Sequence, residues 1–415
     1  MRAPLLALLL APALAASVAS EGCARAPRPF VELAVADAAN ANVTLAADGA
    51  RVAAAWAATG RKGTDVYLAV SEDGGRSFGA PVRVNDVDGD VRVNGEAPPR
   101  VILADRRAEV VWVSNRGGVA AIRAAASSDG GATFAPARTI TSAQTSEARG
   151  WQTAAFGPDG TVHVAWLDGR NASHPVPPPA EGPTHVAHAH DGDMRQDIYH
   201  AMWNGPGAPI ETQVASNVCF CCKTALASRA DQVYVAWRHL FTGGVRDIAI
   251  ARSQDAGRTF SDPVRVSADN WRIDACPDDG PALAIAGDGA LHVAWPTMVT
   301  DGGKPRIGVF EAVSTDGGAT FSPRTRVDTG DGSAAHPRVT LASDGRPAVV
   351  WDEVAASVRR VRLRIGTDAP RTVSAGTVAS YPAIATARDG LVIAWTDQSA
   401  HRSVIRLIRA DQALP

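Results

Sequence analysis

His292-Val293-Ala294-Trp295 decides the fold, because the same phrase returns along the chain. Ala53-Ala54-Ala55-Trp56, Val110-Val111-Trp112, His163-Val164-Ala165-Trp166 and Tyr234-Val235-Ala236-Trp237 precede it. Ala348-Val349-Val350-Trp351 and Val392-Ile393-Ala394-Trp395 follow it. The seven Trp are spaced 56, 54, 71, 58, 56 and 44 residues apart. A period of this size marks a propeller or a solenoid, in which each repeat buries its apolar face only against its neighbours.

Each unit repeats the same parts around its Trp. A short strand such as Arg338-Val339-Thr340-Leu341-Ala342 leads through a Gly-containing turn into the Trp strand. A third strand follows, such as Asp65-Val66-Tyr67-Leu68-Ala69-Val70, and then a short fourth, such as Pro81-Val82-Arg83-Val84. Four short alternating strands joined by Gly-rich turns describe one blade, and no helical periodicity of useful length interrupts them. The expected fold is an all-β propeller of four-stranded blades, seven in number, or six if one unit is degenerate. The last unit lacks a fourth strand, and Phe30-Val31-Glu32-Leu33-Ala34-Val35 is the expected substitute. Closing the ring in this way removes a free sheet edge.

The turn between third and fourth strands carries a box. It reads Ser71-Glu72-Asp73-Gly74-Gly75-Arg76-Ser77-Phe78, Ser127-Ser128-Asp129-Gly130-Gly131-Ala132-Thr133-Phe134, Ser253-Gln254-Asp255-Ala256-Gly257-Arg258-Thr259-Phe260 and Ser314-Thr315-Asp316-Gly317-Gly318-Ala319-Thr320-Phe321. These four copies resemble the Asp-box (BNR repeat) of the sialidase superfamily, and the resemblance spans nearly the whole chain after its start. The box is a turn device: Asp accepts backbone N–H groups, Gly takes positive φ and the aromatic packs inward. It therefore identifies a fold and not a reaction.

The resemblance implies further residues. A sialidase holds its sugar carboxylate with three Arg and uses a Tyr nucleophile paired with Glu and an Asp acid/base. Arg100 and Arg338 begin first strands and match two of the Arg places; Tyr381 and Glu353 match the Tyr and the Glu; Asp168 is a candidate carboxylate. The Arg-Ile-Pro signature is absent, since the chain reads Ala41-Asn42-Val43-Thr44 there. The plain alternative is that these are ordinary strand-edge residues of a repeat. A complete sialidase site is not expected.

The chain begins with a basic residue, a short apolar run from Leu5 to Ala16 and small residues after it, which reads as an export signal over residues 1–22. Cys23 stands where a lipid anchor would attach, residues 23–29 read as a linker, and residues 30–415 as a single propeller domain. The expectation is a periplasmic, membrane-anchored or secreted protein. With 41 Lys+Arg against 43 Asp+Glu, the formal charge of −2 argues against nucleic-acid binding. The 46% hydrophobic content suffices for a large core.

The unusual chemistry falls in segments that a propeller gathers on one face. Asn217-Val218-Cys219-Phe220-Cys221-Cys222-Lys223 precedes the unit of Trp237, and Asp274-Ala275-Cys276-Pro277-Asp278-Asp279-Gly280 the unit of Trp295. A long insertion after Asp168 holds His174, His185, His188 and His190; His239 and His336 join them from later units. Three readings of Cys219, Cys221, Cys222 and Cys276 stay open. They are disulfides (Cys219–Cys222 with Cys221–Cys276), a redox dithiol, or a copper or zinc site completed by His185, His188, His190 and His239. The insertion is either a solvated Pro-rich loop or an arm over the channel mouth. Three functions follow as expectations: recognition of a metal ion, glycan or other small ligand at this face; glycoside hydrolysis; or a disulfide-stapled scaffold that needs no cofactor.

Overall fold

The computed structural model describes residues 30–142, 148–171, 195–273, 277–375, 378–399 and 402–411. Among these residues every regular element is a β-strand. Each unit folds as the repeat requires. In the first, strands Ala39–Asp48, Arg51–Gly60, Gly63–Ser71 and Val82–Arg83 form one antiparallel sheet in chain order. Alternation buries the Trp strand on both sides, and all seven repeat Trp have no exposed surface. Each hydrophobic cluster draws on adjacent units, so no unit has a complete core alone. One such cluster joins Trp56 and Val52 of the first unit to Val392 and Ile405 of the last.

First strands line the axis. Each first strand contacts the next around the molecule, and Ala379–Ala387 of the last unit contacts Ala39–Asp48 of the first. The ring is closed from the N-terminal side as expected: Val31–Leu33 pairs antiparallel with Arg402–Arg409, Leu33 opposite Ile405. One departure is the link between the Trp166 and Trp237 units, which share an eight-stranded sheet through the pairing of Val218 with His239.

The boxes are turns, as read. In each of the four, the Asp Oδ1 accepts two successive backbone N–H groups, as Asp129 does from Ala132 and Thr133 at 3.0 Å. These bonds to the charged form hold all four carboxyls below their usual range. Gly131 sits at φ +90° against Leu68 Cδ2, a place where a side chain would be strained and would clash.

The core stores one carboxyl that ought to be neutral. Glu109, on the second unit's Trp strand, is 2% exposed, and burial pushes its pKa up to about 7 against the weaker pull of Arg107 and Arg138. Because the folded pKa is raised, folding binds the proton more tightly than the unfolded chain does. Stability is then fullest at pH near 4 and falls as pH rises to about 7. Glu109→Gln should therefore gain up to about 3 kcal/mol on wild type at pH 8 and nothing at pH 4. Urea unfolding of both proteins at the two pH values checks this; an equal difference at both would contradict it.

Candidate functional site

The first strands do not run straight into the axis. In four of them the register slips near the entry end, between Ala41 and Thr44, Gly150 and Thr153, Ala335 and Arg338, and Ser380 and Ala383. At each slip one residue takes a left-handed backbone: Asn42 (φ 63°), Trp151 (52°), His336 (56°) and Tyr381 (52°). Asp278 (φ 47°), before strand Ala282–Ile285, does the same. Asn and His are among the residues that tolerate this region best, but Trp and Tyr pay of order 1–3 kcal/mol each. Bulges of this kind re-aim a side chain out of the ladder.

The re-aimed side chains meet. The His336 and Tyr381 rings pack with centroids 4.3 Å apart. The Trp151 indole N–H donates to Asp278 Oδ1 at 3.1 Å. Tyr381 lies against Gly95, where any Cβ would fall 2.0 Å from the ring. Gly95 thus leaves room for the Tyr and brings in its neighbour Glu96.

A buried ionic cluster underlies these rings. Lys223 Nζ donates to Glu96 Oε2 (2.9 Å), Asp279 Oδ1 (2.9 Å) and the Pro337 carbonyl (3.1 Å), which uses all three of its protons. Arg338 reaches Glu96 at 3.4 Å, and Asp279 Oδ2 accepts the His336 backbone N–H. Burial alone would raise the Glu96 carboxyl, but Arg338 and Lys223 hold it down to about 2. Burial and the Arg338 charge push Arg100 down to about 9, so it stays cationic at neutral pH. Arg100, Lys223 and Arg338, with Thr44, Thr153 and Thr224, line an axial cavity of about 140 Å³. These three cations are the charged side chains among the residues that line the cavity.

Asp352 ties the rings to the frame. It is fully buried; its Oδ2 lies 2.7 Å from His336 Nδ1 and accepts the Tyr381 backbone N–H at 2.9 Å. Burial would lower the His336 pKa, but Asp352 raises it above the ordinary value. Burial, then Glu96 and Asp352, pushes Tyr381 up. Burial raises Asp278 against the Trp151 hydrogen bond, with Glu96 adding to the rise.

The Trp strand explains where other candidates lie. In four units the residue two places after the Trp caps the indole N–H, as Asp168 does for Trp166, His239 for Trp237 and Glu353 for Trp351; Trp56 and Trp295 donate instead to Asn40 and Asp269. The residue one place after points to the opposite face and meets the next unit's bulge. Asp352 bonds Tyr381, Thr396 accepts the Asn42 N–H, and Arg238 donates to the Asp279 carbonyl. Glu353 therefore stands one residue out of phase with Tyr381, and Asp352 is the carboxylate beside it. Asp168 is fully buried between Arg149 and Arg170. Arg100 and Arg338 line the axial cavity, and Tyr381 lies against Gly95, next to the Glu96 that Arg338 reaches. Sequence reading missed Glu96, Lys223, Trp151 and Asp352. The available signal was the residue after each Trp, and Lys223 as one of only three Lys in the chain.

The sulfurs form a second group. Cys219, Cys221 and Cys222 are buried with their Sγ atoms within 4.8 Å, and among the described residues no His joins them. Cys221 is disulfide-bonded; Cys219 and Cys222 are free thiols 3.6 Å apart, which corrects the expected Cys219–Cys222 bond. His174, His185, His188, His190, Cys276 and Cys23 lie outside the described residues.

No family model matches the chain, and no curated protein does. Solved structures do. An ulvan lyase of polysaccharide lyase family PL25 superposes with TM-score 0.53 at 11% identity, covering 90% of this chain and 94% of that one. The GH93 α-L-arabinofuranosidase of Fusarium graminearum gives 0.51 at 13% identity, covering 79% and 96%. The NanB sialidase of Streptococcus pneumoniae gives 0.48 at 9%, covering 87% and 84%. The first two support the β-propeller fold.

Proposed function

We propose that the protein is a carbohydrate-active enzyme whose acid–base pair is His336 and Tyr381, acting on a glycan that carries an acidic group. The observation that carries this reading is the Asp352–His336–Tyr381 arrangement on two bulges with left-handed backbone. With Nδ1 bound to Asp352, His336 exchanges protons through Nε2, and Asp352 orients the ring and stabilises its cationic form. Tyr381 supplies a phenol beside it. Arg100 and Arg338 line the axial cavity and offer guanidinium groups to a carboxylate or sulfate on the sugar. The similar folds include a polysaccharide lyase and an arabinofuranosidase, so elimination and hydrolysis are both open routes to glycosidic cleavage.

The test is incubation of the purified protein with polyuronates, sulfated uronate polysaccharides and sialosides. Unsaturated uronate absorbance reports elimination, and new reducing ends without it report hydrolysis. We expect cleavage of an acidic member by wild type and its loss in His336→Ala with the fold intact by circular dichroism. Cleavage that survives both His336→Ala and Tyr381→Phe, or an absence of cleavage across the panel, would overturn the reading.

A further inference from the structure

Cys219 ends strand Ile210–Cys219, and Cys222 lies three residues on, past the turn at Phe220 and Cys221. The two thiols touch at 3.6 Å, both nearly fully buried, while Cys221 between them is disulfide-bonded. Arg246 Nη1 lies 3.7 Å from Cys219 Sγ. A thiol pair in sulfur–sulfur contact beside a guanidinium is the environment that makes one sulfur nucleophilic and the other its resolving partner.

The pair is also wired to the axial cluster. Cys222 is followed directly by Lys223, whose ammonium holds Glu96 and Asp279. Thr224 donates both its N–H and its hydroxyl to the Trp151 carbonyl, and Trp151 packs on the three cysteines. A change at Cys222 must move the residues on which the site's frame rests.

We propose that Cys219 and Cys222 form a reversible dithiol–disulfide couple whose state repositions Lys223 and Trp151. The proposal stands independently of the acid–base reading. The oxidant is a disulfide, either a low-molecular-weight one or that of an oxidoreductase. The Cys219 thiolate attacks one sulfur of that disulfide; its S–S bond breaks, and the expelled half leaves as a thiolate that takes a proton from water. Cys222 then gives its proton to solvent and attacks Cys219 Sγ. The Cys219–Cys222 bond forms and the second half leaves as a thiol. The dithiol loses two electrons and two protons, and the external disulfide gains them.

The division of roles agrees with the electrostatics. The Cys222 hydrogen bond, then Arg246 and Arg238, bring Cys219 down to about 6 against burial, whereas burial and the Cys219 charge raise Cys222. Both sulfurs are shielded, so exchange proceeds through opening of the 220–222 turn, a local event at a strand end.

The experiment equilibrates the full folded chain in reduced and oxidised glutathione buffers, quenches with acid, alkylates free thiols and maps the peptides by mass spectrometry. We expect a single two-electron transition at Cys219 and Cys222, reversed by dithiothreitol, with the Cys221 bond unchanged. Cys222→Ser should stop at a glutathione adduct on Cys219, with Cys222→Ala as the second variant should the first fold poorly. Arg246→Gln should shift the pH midpoint of Cys219 alkylation upward. Hydrogen exchange should differ between the two states in peptides spanning 149–156 and 222–226. Thiols that stay reduced throughout, an adduct on Cys222 instead, or a tightly bound metal ion that blocks oxidation would overturn the couple. Identical exchange in both states would overturn its link to the site.

Discussion

Lys223→Met should lower unfolding stability by about 3–5 kcal/mol, the range for removing one partner of a buried ion pair. Lys223 is 1% exposed and bridges Glu96 and Asp279, which come from different units. Methionine keeps much of the volume but leaves two buried carboxylates with less compensation. Adding Glu96→Gln should recover part of the loss, because the orphaned charge is then gone. The pH dependence carries a definite sign. Glu96 is held down to about 2, so its contribution is present above its unfolded value of 4.5 and is lost as pH falls from there towards 2. The wild type should therefore lose stability over that interval faster than Lys223→Met does. Guanidinium unfolding at pH 7 and pH 3.5 measures both terms; a difference under about 1 kcal/mol at pH 7 would sink the clamp.

His336→Ala and Tyr381→Phe should each reduce turnover by about 10²–10⁴-fold on the glycan that the panel identifies, the range for a positioned proton-transfer group. Asp352→Asn should approach the same loss without touching substrate, because Nδ1 would lose the ionised acceptor that orients the imidazole. As a base, His336 must be neutral, and its pKa is raised. Activity should thus climb with pH on a limb displaced above 6.5, and His336→Gln should abolish that limb. Stability runs the other way. The His336–Asp352 interaction is fully present below 6.5 and is lost as pH rises through the raised folded value. His336→Gln should therefore cost more stability at pH 6 than at pH 9. Rate profiles together with thermal unfolding separate a catalytic loss from a folding loss. Equal pH–rate limbs in wild type and His336→Gln would remove His336 from the chemistry.

Much of this site was visible in one dimension, but not its pairing. Tyr381, Arg338, Arg100, Asp278 and His336 stand at unit entries, and the repeat phase alone sends entries to one end of the axis. Asp168, His239 and Glu353 read equally well as chemistry, yet each caps the indole two residues before it. The reason is parity. In a strand, successive side chains face opposite ways, so a carboxylate at Trp+2 returns to its own Trp, and one at Trp+1 crosses to the next unit. Asp352 and Glu353 are adjacent acids with opposite destinations, and only the observed register separates them.

The chain by itself determined the repeat, the boxes and the closing strand, because these rest on local periodicity and turn chemistry that each unit carries within its own residues. The tertiary structure decided the rest. Glu96 and Arg338 are 242 positions apart, and Lys223 reaches a carbonyl 114 positions away. Contacts of that span exist only once the ring has closed and residues of distant units meet on its axis. The left-handed Trp151 and Tyr381 belong to the same class: no local preference selects that backbone for them, and the surrounding units impose it.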